Sequence, residues 1–384
     1  MNDAGNGGTK TPAQHQAGDG IHEGLEGVVV TATMLGDVDG ERGRLIVRGH
    51  DIEELAPRAS IEDVFSLLHR GALPDAAERE SLRARLGAAR LTAHAGLARL
   101  GDALARPDAM DALRAALAHH ESAGDDADGV ALAGAAVVYV AAWARRRLGL
   151  TELAPDADAS QAADLLRLVR GAPATDAEVR ALDTYLATVA DHGMNASTFT
   201  ARVVTSTGSD MISAVVAAIG ALKGPLHGGA PGPVLDMLDA IGAPENAERW
   251  LAAEMDAKRR IMGMGHRIYR VRDPRAAVLE RAVERLEQAG VQTGRLALAR
   301  AVERAAREVL QRRYPDRPLH ANVEFYTAVL LDTLALPRGA FAAVFAVGRI
   351  AGWTAHVREQ RANGRLIRPQ SLYIGPAPVR SQAA

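Results

Sequence analysis

The longest apolar run of the chain spans residues 130–144 and is closed by Arg145, Arg146 and Arg147. The run falls short of the ~20 residues that a membrane span requires. A buried helix, with cationic residues stabilising its C-terminal end, explains it better. A chain of 384 residues is long enough to enclose such a helix in one large domain with a smaller one beside it. We therefore predict a soluble protein that spans no membrane.

Helical spacing recurs along the chain, and the composition supports it. Alanine is abundant and aromatic residues are 4% of the sequence, which favours helices. Apolar residues follow a helical period in three further segments: Ala162, Leu165, Leu166 and Val169; Leu279, Val283 and Leu286; Leu298, Val302, Ala305 and Val309. We predict a mostly α, multi-helical fold.

The N-terminal part of the chain is different. Residues 28–33 and 44–48 are predicted to form two short strands around a turn at Asp37-Val38-Asp39-Gly40, which gives a small N-terminal β hairpin. Residues 1–20 are polar, without the apolar run of a secretory signal or the arginines of a transit peptide. We predict that they form a disordered tail.

Charge and cysteine content exclude several classes of function. The formal net charge is −2, which indicates neither nucleic acid nor an anionic membrane as a partner. Cysteine is absent, which excludes disulfides, thiolate metal sites and cysteine nucleophiles and fits a reducing cytoplasm. The lack of cysteine leads us to expect a cytoplasmic location. The histidines are far apart and form no His-Glu-x-x-His motif, so we expect no metal.

Two histidines lie in glycine-rich turns. His227 follows Gly224-Pro225-Leu226 and precedes Gly228-Gly229-Ala230; a neutral imidazole there can donate a hydrogen bond to a developing enolate oxygen, although a surface histidine in a linking turn is the simpler interpretation. His266 follows Gly265 and is surrounded by arginines. Guanidinium groups around such a loop suit carboxylate or phosphate recognition, and the alternative is a solvated basic face.

A carboxylate and further basic residues complete the candidates. Glu324 lies between Val323 and Phe325, where poor solvation raises its basicity, or where it merely stabilises a helix N-terminus. Arg349 lies in an apolar segment, and a buried arginine needs an anionic partner. Two imidazoles and one carboxylate are what an enzyme requires to remove a proton from carbon beside a carbonyl.

Together these segments resemble the citrate synthase family, in its short bacterial type, from about residue 25 to residue 375. The order of the segments carries the resemblance: Asp191-His192-Gly193 with Asn195-Ala196-Ser197-Thr198-Phe199, Gly224-Pro225-Leu226-His227-Gly228-Gly229-Ala230, Gly265-His266-Arg267-Ile268-Tyr269 with Asp273-Pro274-Arg275, Asn322-Val323-Glu324-Phe325-Tyr326, and Arg368-Pro369. The resemblance implies a cytoplasmic homodimer that condenses acetyl-CoA with oxaloacetate and needs no cofactor. It implies a large domain of residues 21–229 and 321–384 and a small domain of about residues 230–320.

The resemblance also implies roles for individual residues. His227 would hydrogen-bond the thioester oxygen, His266 would polarise the ketone of oxaloacetate, and Glu324 would remove the methyl proton. The residues implied to hold oxaloacetate are His192, His266, Arg275, Arg349 and, from the partner subunit, Arg368. The loop implied to cradle the adenine of CoA comprises Ile261, Met262, Gly263, Met264 and Gly265.

The chain departs from the family pattern at three places. Glu324 replaces the usual aspartate base, Pro231-Gly232 replaces a common Asn-Glu, and Val47 replaces a tyrosine before Arg48-Gly49. Two alternatives therefore stay open: a 2-methylcitrate synthase that uses propionyl-CoA, since one methylene gives only ~1–3 kcal/mol of discrimination, and a catalytically weak binding or regulatory protein on the same fold.

Overall fold

The computed structural model describes residues 21–227, 231–315 and 319–376. The predicted tail at residues 1–20 and the turn residues Gly228, Gly229 and Ala230 lie outside the described residues. The chain divides into a main unit of residues 34–366 and a terminal unit, which in its described part comprises residues 21–33 and 367–376. The predicted boundaries between a large and a small domain stay a prediction.

The described residues form fifteen α-helices and one three-stranded sheet. The helices are α1 (Ile52–Leu55), α2 (Ile61–Arg70), α3 (Ala76–Ala95), α4 (Ala109–Leu117), α5 (Asp125–Arg147), α6 (Gln161–Arg170), α7 (Asp176–Val189), α8 (Ala196–Ser206), α9 (Met211–Leu222), α10 (Gly232–Ile241), α11 (Ala247–Asp256), α12 (Pro274–Gln288), α13 (Leu296–Arg313), α14 (Val323–Thr333) and α15 (Phe341–Asn363). The strands are β1 (Gly36–Asp39), β2 (Arg44–Val47) and β3 (His50–Asp51). The mostly α fold is confirmed, and the predicted helical segments lie in α5, α6, α12 and α13.

Two long apolar helices form the centre of the main unit. By length and composition α5 and the segment Arg338–Asn363, which contains α15, could each cross a membrane, but 89% and 94% of their apolar windows are buried inside the fold. The run at residues 130–144 is therefore a core helix, as predicted. A Cβ on Gly134 would lie 2.7 Å from the Cβ of Ala89 and 3.0 Å from the carbonyl oxygen of Leu86, so α3 and α5 pack at backbone distance.

The N-terminal hairpin exists, but its predicted first strand and turn were wrong. Residues 28–33 form no strand, and the side chain of Val29 is 89% exposed. Instead, β1 pairs antiparallel with β2, with Val38 opposite Leu45. The turn follows at residues 40–43, where Gly43 has a φ of +63° and the carboxylate of Asp39 accepts from the backbone N–H of Arg42. The glycine and this side-chain acceptor fix the turn three residues later than the Asp-Gly signal suggested.

Candidate active site

Glu324 lies in the first turn of α14, and the sequence explains why the helix begins there. The side chain of Asn322 accepts a hydrogen bond of 3.0 Å from the backbone N–H of Glu324, which caps the helix. The flanking residues Val323 and Phe325 are buried. Burial raises the pKa of Glu324 to about 7, against the opposing attraction of Arg275 and Arg349. Poor solvation therefore outweighs the stabilisation that a helix N-terminus gives a carboxylate.

The start of α12 is joined to the start of α14 by one carboxylate. Asp273 caps α12 and binds Arg275 through both oxygens, at 3.0 Å to Nε and 2.8 Å to Nη2. One of these oxygens also accepts from the backbone N–H of Val323 at 3.2 Å. The Asp-Pro dipeptide that starts α12 is a common helix-start signal. Here Asp273 also holds the buried Arg275 beside Glu324, the residue that follows Val323.

His266 has a defined tautomer. Its Nδ1 accepts from the backbone N–H groups of Ile268 and Tyr269, at 3.0 and 3.1 Å, so the ring proton lies on Nε2. Burial and Arg275 lower the pKa of His266 to about 4, and the ring is neutral at physiological pH. Nε2 lies 3.3 Å from Nη2 of Arg275. Two donors this close together can both bind one acceptor oxygen that lies beside them.

His192 links the histidine loops. It is buried, its Nε2 lies 3.1 Å from the hydroxyl of Tyr269, and its ring meets that of His266 edge-on with centroids 5.6 Å apart. Burial lowers the pKa of His192 well below its ordinary value, and the neighbouring Arg275 and Arg349 lower it further. The structure therefore places His192, His266 and both arginines in one polar cluster.

His227 follows α9 and is oriented by the start of α8. Its Nε2 accepts from the backbone N–H of Ser197 at 3.2 Å, and lies 2.8 Å from the Ser197 hydroxyl. The proton of the ring is consequently on Nδ1, and the ring donates to the backbone carbonyl of His227 itself. Burial and Arg349 lower the pKa of His227 to about 4. A neutral imidazole that carries its proton on Nδ1 is a hydrogen-bond donor without charge.

Arg349 lies in the middle of α15 and is 1% exposed. Its Nε donates to the carbonyl oxygen of Val189 at 2.5 Å, but no carboxylate lies within ion-pair distance among the described residues. Burial lowers its pKa to about 10, although Asp191 partly compensates. A buried guanidinium with so little neutralisation favours an anionic ligand.

The loop of residues 261–265 is paired with the segment that leads into α14. The N–H of Gly265 donates to His320 at 2.7 Å, and the N–H of Asn322 donates to Gly263 at 2.9 Å. Gly263 has a φ of +72° and a Cβ there would lie 2.9 Å from the ring of Phe325, so only glycine fits. The predicted CoA-binding loop, which also contains Ile261, Met262 and Met264, therefore adjoins the segment that carries Glu324; its role stays a prediction.

The hairpin contacts both histidine loops. The carbonyl oxygen of Gly40 accepts from the N–H of Arg270 at 2.9 Å, and a Cβ on Gly40 would lie 2.4 Å from the carbonyl oxygen of Ile268. A Cβ on Gly36 would lie 2.6 Å from a carboxylate oxygen of Asp191, beside His192. The first strand and its turn thus support the loops that carry His192 and His266.

Arg368 belongs to the terminal unit. Its side chain is exposed, and Nη1 donates to the carbonyl oxygen of Pro369 at 3.1 Å. The predicted contribution of Arg368 to a site on a partner subunit stays a prediction.

Several residues of this cluster were not singled out from the sequence. The helix-start pattern of Asp273-Pro274 could have identified Asp273 as the partner of Arg275. Ser197 and Tyr269 carry no such signal, because each acts through a contact with a residue distant in sequence. The same holds for His356, whose buried ring lies 2.9 Å from Asp191 at Nε2 and accepts from Arg202 at Nδ1.

The chain is similar to known proteins over most of its length. Residues 24–370 match the family described as citrate synthase, C-terminal domain. A citrate synthase of Haloferax volcanii is 36% identical, over 92% of this chain and 96% of that protein. A 2-methylcitrate synthase of Mycobacterium tuberculosis is 37% identical, over 92% of this chain and 91% of that protein.

A solved structure shares the fold. It is a citrate synthase of the thermophilic archaeon Thermoplasma acidophilum in a ternary complex with carboxymethyl coenzyme A and oxaloacetate, 27% identical, with a TM-score of 0.83 over 94% of this chain and 98% of that one. Through these matches over most of its length, the chain is shown to belong to the citrate synthase family, enzymes of the transferase class that condense acetyl-CoA with oxaloacetate.

Proposed function

We propose that the protein is a citrate synthase that joins acetyl-CoA to oxaloacetate and hydrolyses the resulting thioester to citrate and CoA. One observation carries the proposal: Glu324, with a pKa raised to about 7, lies beside two buried arginines. A base of that strength is matched to proton removal near neutral pH. The arginines supply the charge that a dicarboxylate such as oxaloacetate requires.

The roles of the polar groups follow from their tautomers and charges. Glu324 takes a proton from the methyl group of the thioester, and the Nδ1–H of His227 donates to the oxygen on which negative charge develops. The Nε2–H of His266 donates to the ketone oxygen of oxaloacetate and makes its carbon more electrophilic. His192, Arg275 and Arg349, with Arg368 of the partner subunit, hold the carboxylates.

Both histidines suit these roles because they are neutral. An imidazole with a pKa of about 4, as His227 and His266 have, can donate a hydrogen bond at neutral pH without bringing a net charge that Arg275 and Arg349 would repel. Donors of this kind act most strongly when charge appears in the transition state. A protein that only bound oxaloacetate would have no use for the base or for His227, which disfavours the binding-protein alternative.

We propose acetyl-CoA, and not propionyl-CoA, as the substrate because of the length of the base. Glu324 is one methylene longer than the aspartate usual in the family, so it reaches further toward the reacting carbon and leaves less room for the extra methyl group of propionyl-CoA. The relatives carry both names, at 36% and 37% identity, and 2-methylcitrate synthase is the second candidate. We further propose a cytoplasmic homodimer without a cofactor or metal.

CoA release tests the proposal directly. The purified protein receives oxaloacetate with acetyl-CoA or propionyl-CoA, and free CoA is followed with a thiol reagent; the chain contains no cysteine, so it adds no background. We expect oxaloacetate-dependent release that is about 10-fold or more faster with acetyl-CoA, within the range that one methylene allows. Faster release with propionyl-CoA would identify a 2-methylcitrate synthase, and oxaloacetate binding without release would identify a binding protein.

A further inference from the structure

Two buried hydroxyl groups near Glu324 have no hydrogen-bond partner other than each other. Tyr185 in α7 and Thr327 in α14 are both fully buried, and their hydroxyls face each other. Neither oxygen makes a hydrogen bond of acceptable geometry to any of the described residues. A buried polar group left unpaired costs about 1–3 kcal/mol. Such a pair at a reaction centre therefore calls for a functional explanation.

Thr327, like Thr198, is an exception among the described threonines within helices. The hydroxyls of Thr205, Thr333 and Thr354 each donate to the carbonyl oxygen four residues earlier, which is the ordinary local solution for a helical threonine. Thr327 is buried and makes no such bond. Because it follows Glu324 by three residues, the two side chains lie on the same face of α14.

Tyr185 approaches the same face from α7. Its hydroxyl interacts electrostatically with Glu324 and with Arg349. Burial raises the pKa of Tyr185 well above its ordinary value, and the negative charge of Glu324 raises it further. The phenol is therefore protonated at every pH at which the protein would work, and it is available as a hydrogen-bond donor.

The other charged groups that face Glu324 each have partners elsewhere in the fold. They are Arg275 and Asp273, which bind each other through both carboxylate oxygens, and Arg349, whose Nε is bonded to Val189. Among the described residues, none donates a hydrogen bond to the carboxylate of Glu324. Among the described hydroxyl groups near Glu324, those of Tyr185 and Thr327 lack any acceptor of good geometry.

We propose that Tyr185 and Thr327 are positioning residues for the base: with substrates bound, the Tyr185 hydroxyl donates to the Glu324 carboxylate, and the Thr327 hydroxyl donates to the phenol oxygen. The inference rests on the proposed function of Glu324. Catalytic hydrogen bonds are often unformed in the absence of substrate and form when the site closes. A glutamate has one more rotatable bond than an aspartate, and a misplacement of the base by about 1 Å can reduce the rate 100-fold. Hydrogen bonds from the two hydroxyls would hold the longer side chain in place.

Tyr185→Phe removes the donor without changing the shape of the side chain. We expect kcat to fall about 10-fold or more while the KM for oxaloacetate stays unchanged. The acidic limb of the kcat profile should move to higher pH, because the ionised carboxylate loses a hydrogen bond that stabilises it. Tyr139→Phe is the matched control: this buried tyrosine bonds His120 at 3.0 Å, outside the cluster of the proposed site, and its loss should leave the limb in place.

Thr327 separates a role of the hydroxyl from a role in packing. Thr327→Val keeps the shape and removes the hydroxyl, whereas Thr327→Ser keeps the hydroxyl and removes the methyl group. We expect the valine variant to resemble Tyr185→Phe with a smaller effect, and the serine variant to keep the wild-type limb. Neither hydroxyl makes a hydrogen bond of good geometry in the free protein, so neither Tyr185→Phe nor Thr327→Val should lower the unfolding midpoint by more than a small amount.

The outcomes distinguish this inference from the proposed function. If the wild type releases CoA and Tyr185→Phe keeps both its kcat and its acidic limb, the inference is wrong and the proposed function stands. If Thr327→Ser shifts the limb as far as Thr327→Val does, the methyl group is responsible and Thr327 has no hydroxyl role. A wild type that releases no CoA from either thioester refutes the proposed function, and the inference with it.

Discussion

Replacing Glu324 by glutamine should stabilise the free protein at alkaline pH while it abolishes turnover. The fold raises the pKa of this carboxyl from an ordinary 4.5 to about 7, so the ionised form is less stable in the folded chain than in the unfolded one. That rise corresponds to about 3 kcal/mol. Glutamine has nearly the shape of the protonated acid and never acquires the charge.

The sign of the effect depends on pH. Below about pH 4.5 the carboxyl is protonated in both the folded and the unfolded chain, so Glu324→Gln should have no effect on the free energy of unfolding. As the pH rises toward 7 the unfolded chain ionises first, and the wild type loses stability relative to the variant. Above about pH 8 the difference should level off near 3 kcal/mol in favour of the variant.

Urea unfolding at pH 5, 7 and 9 measures the difference directly. Protein concentration must be held constant, because association of subunits would contribute to stability. Glu308→Gln is the control: Glu308 is an exposed glutamate of α13, and its replacement should change little at any pH. A Glu324→Gln protein that is equal to or less stable than the wild type at pH 9 would show that the carboxylate is well solvated or well paired, which would refute the reasoning.

Three further predictions concern the site. His227→Ala should lower kcat at least ~100-fold, as loss of an oxyanion donor does, and a wild-type kcat in the CoA-release assay would exclude His227 from that role. Gly40→Ala should raise the KM for oxaloacetate, because the new Cβ would lie 2.4 Å from the carbonyl oxygen of Ile268 and must displace the loop of His266; an unchanged KM would separate the hairpin from the site. If the site is shared across a dimer, mixing Arg368→Ala subunits with Glu324→Gln subunits should restore part of the activity, and verified heterodimers without recovery would contradict a shared site.

The sequence predicts the helices well where one physical signal dominates. The apolar run of α5 is too short to span a membrane, so it predicts a helix that is buried on all sides. The helical spacing of apolar residues predicts α6, α12 and α13 equally directly. The prediction of the first strand failed because residues 28–33, five of which are β-branched, resemble a strand more than Gly36–Asp39 does. What selects Gly36–Asp39 is tertiary: the glycines at positions 36 and 40 allow close contact with Asp191 and Ile268, and no local pattern contains that information.

Part of the candidate site could be predicted from the sequence for the same reason. Glycine-flanked histidines and a carboxylate among apolar residues are local patterns, so His227, His266 and Glu324 could be singled out from the chain. The tautomers and pKa values of these residues could not be predicted from the sequence. The tautomer of His227 depends on a backbone N–H of Ser197, thirty positions away, and the pKa of Glu324 depends on how completely α14 is buried.

The charges of the site also suggest why a base of this kind would act only after oxaloacetate has bound. In the free protein Arg275 and Arg349 lower the pKa of Glu324, in opposition to burial. On the proposed assignment the two carboxylates of oxaloacetate neutralise those guanidinium groups, so the cations no longer favour the ionised base, while the second substrate excludes water. Both changes strengthen the base at the moment when the thioester methyl group is in place. Before oxaloacetate binds, the base is weaker. A thioester that enters the site without oxaloacetate is therefore protected from enolisation that leads to no condensation.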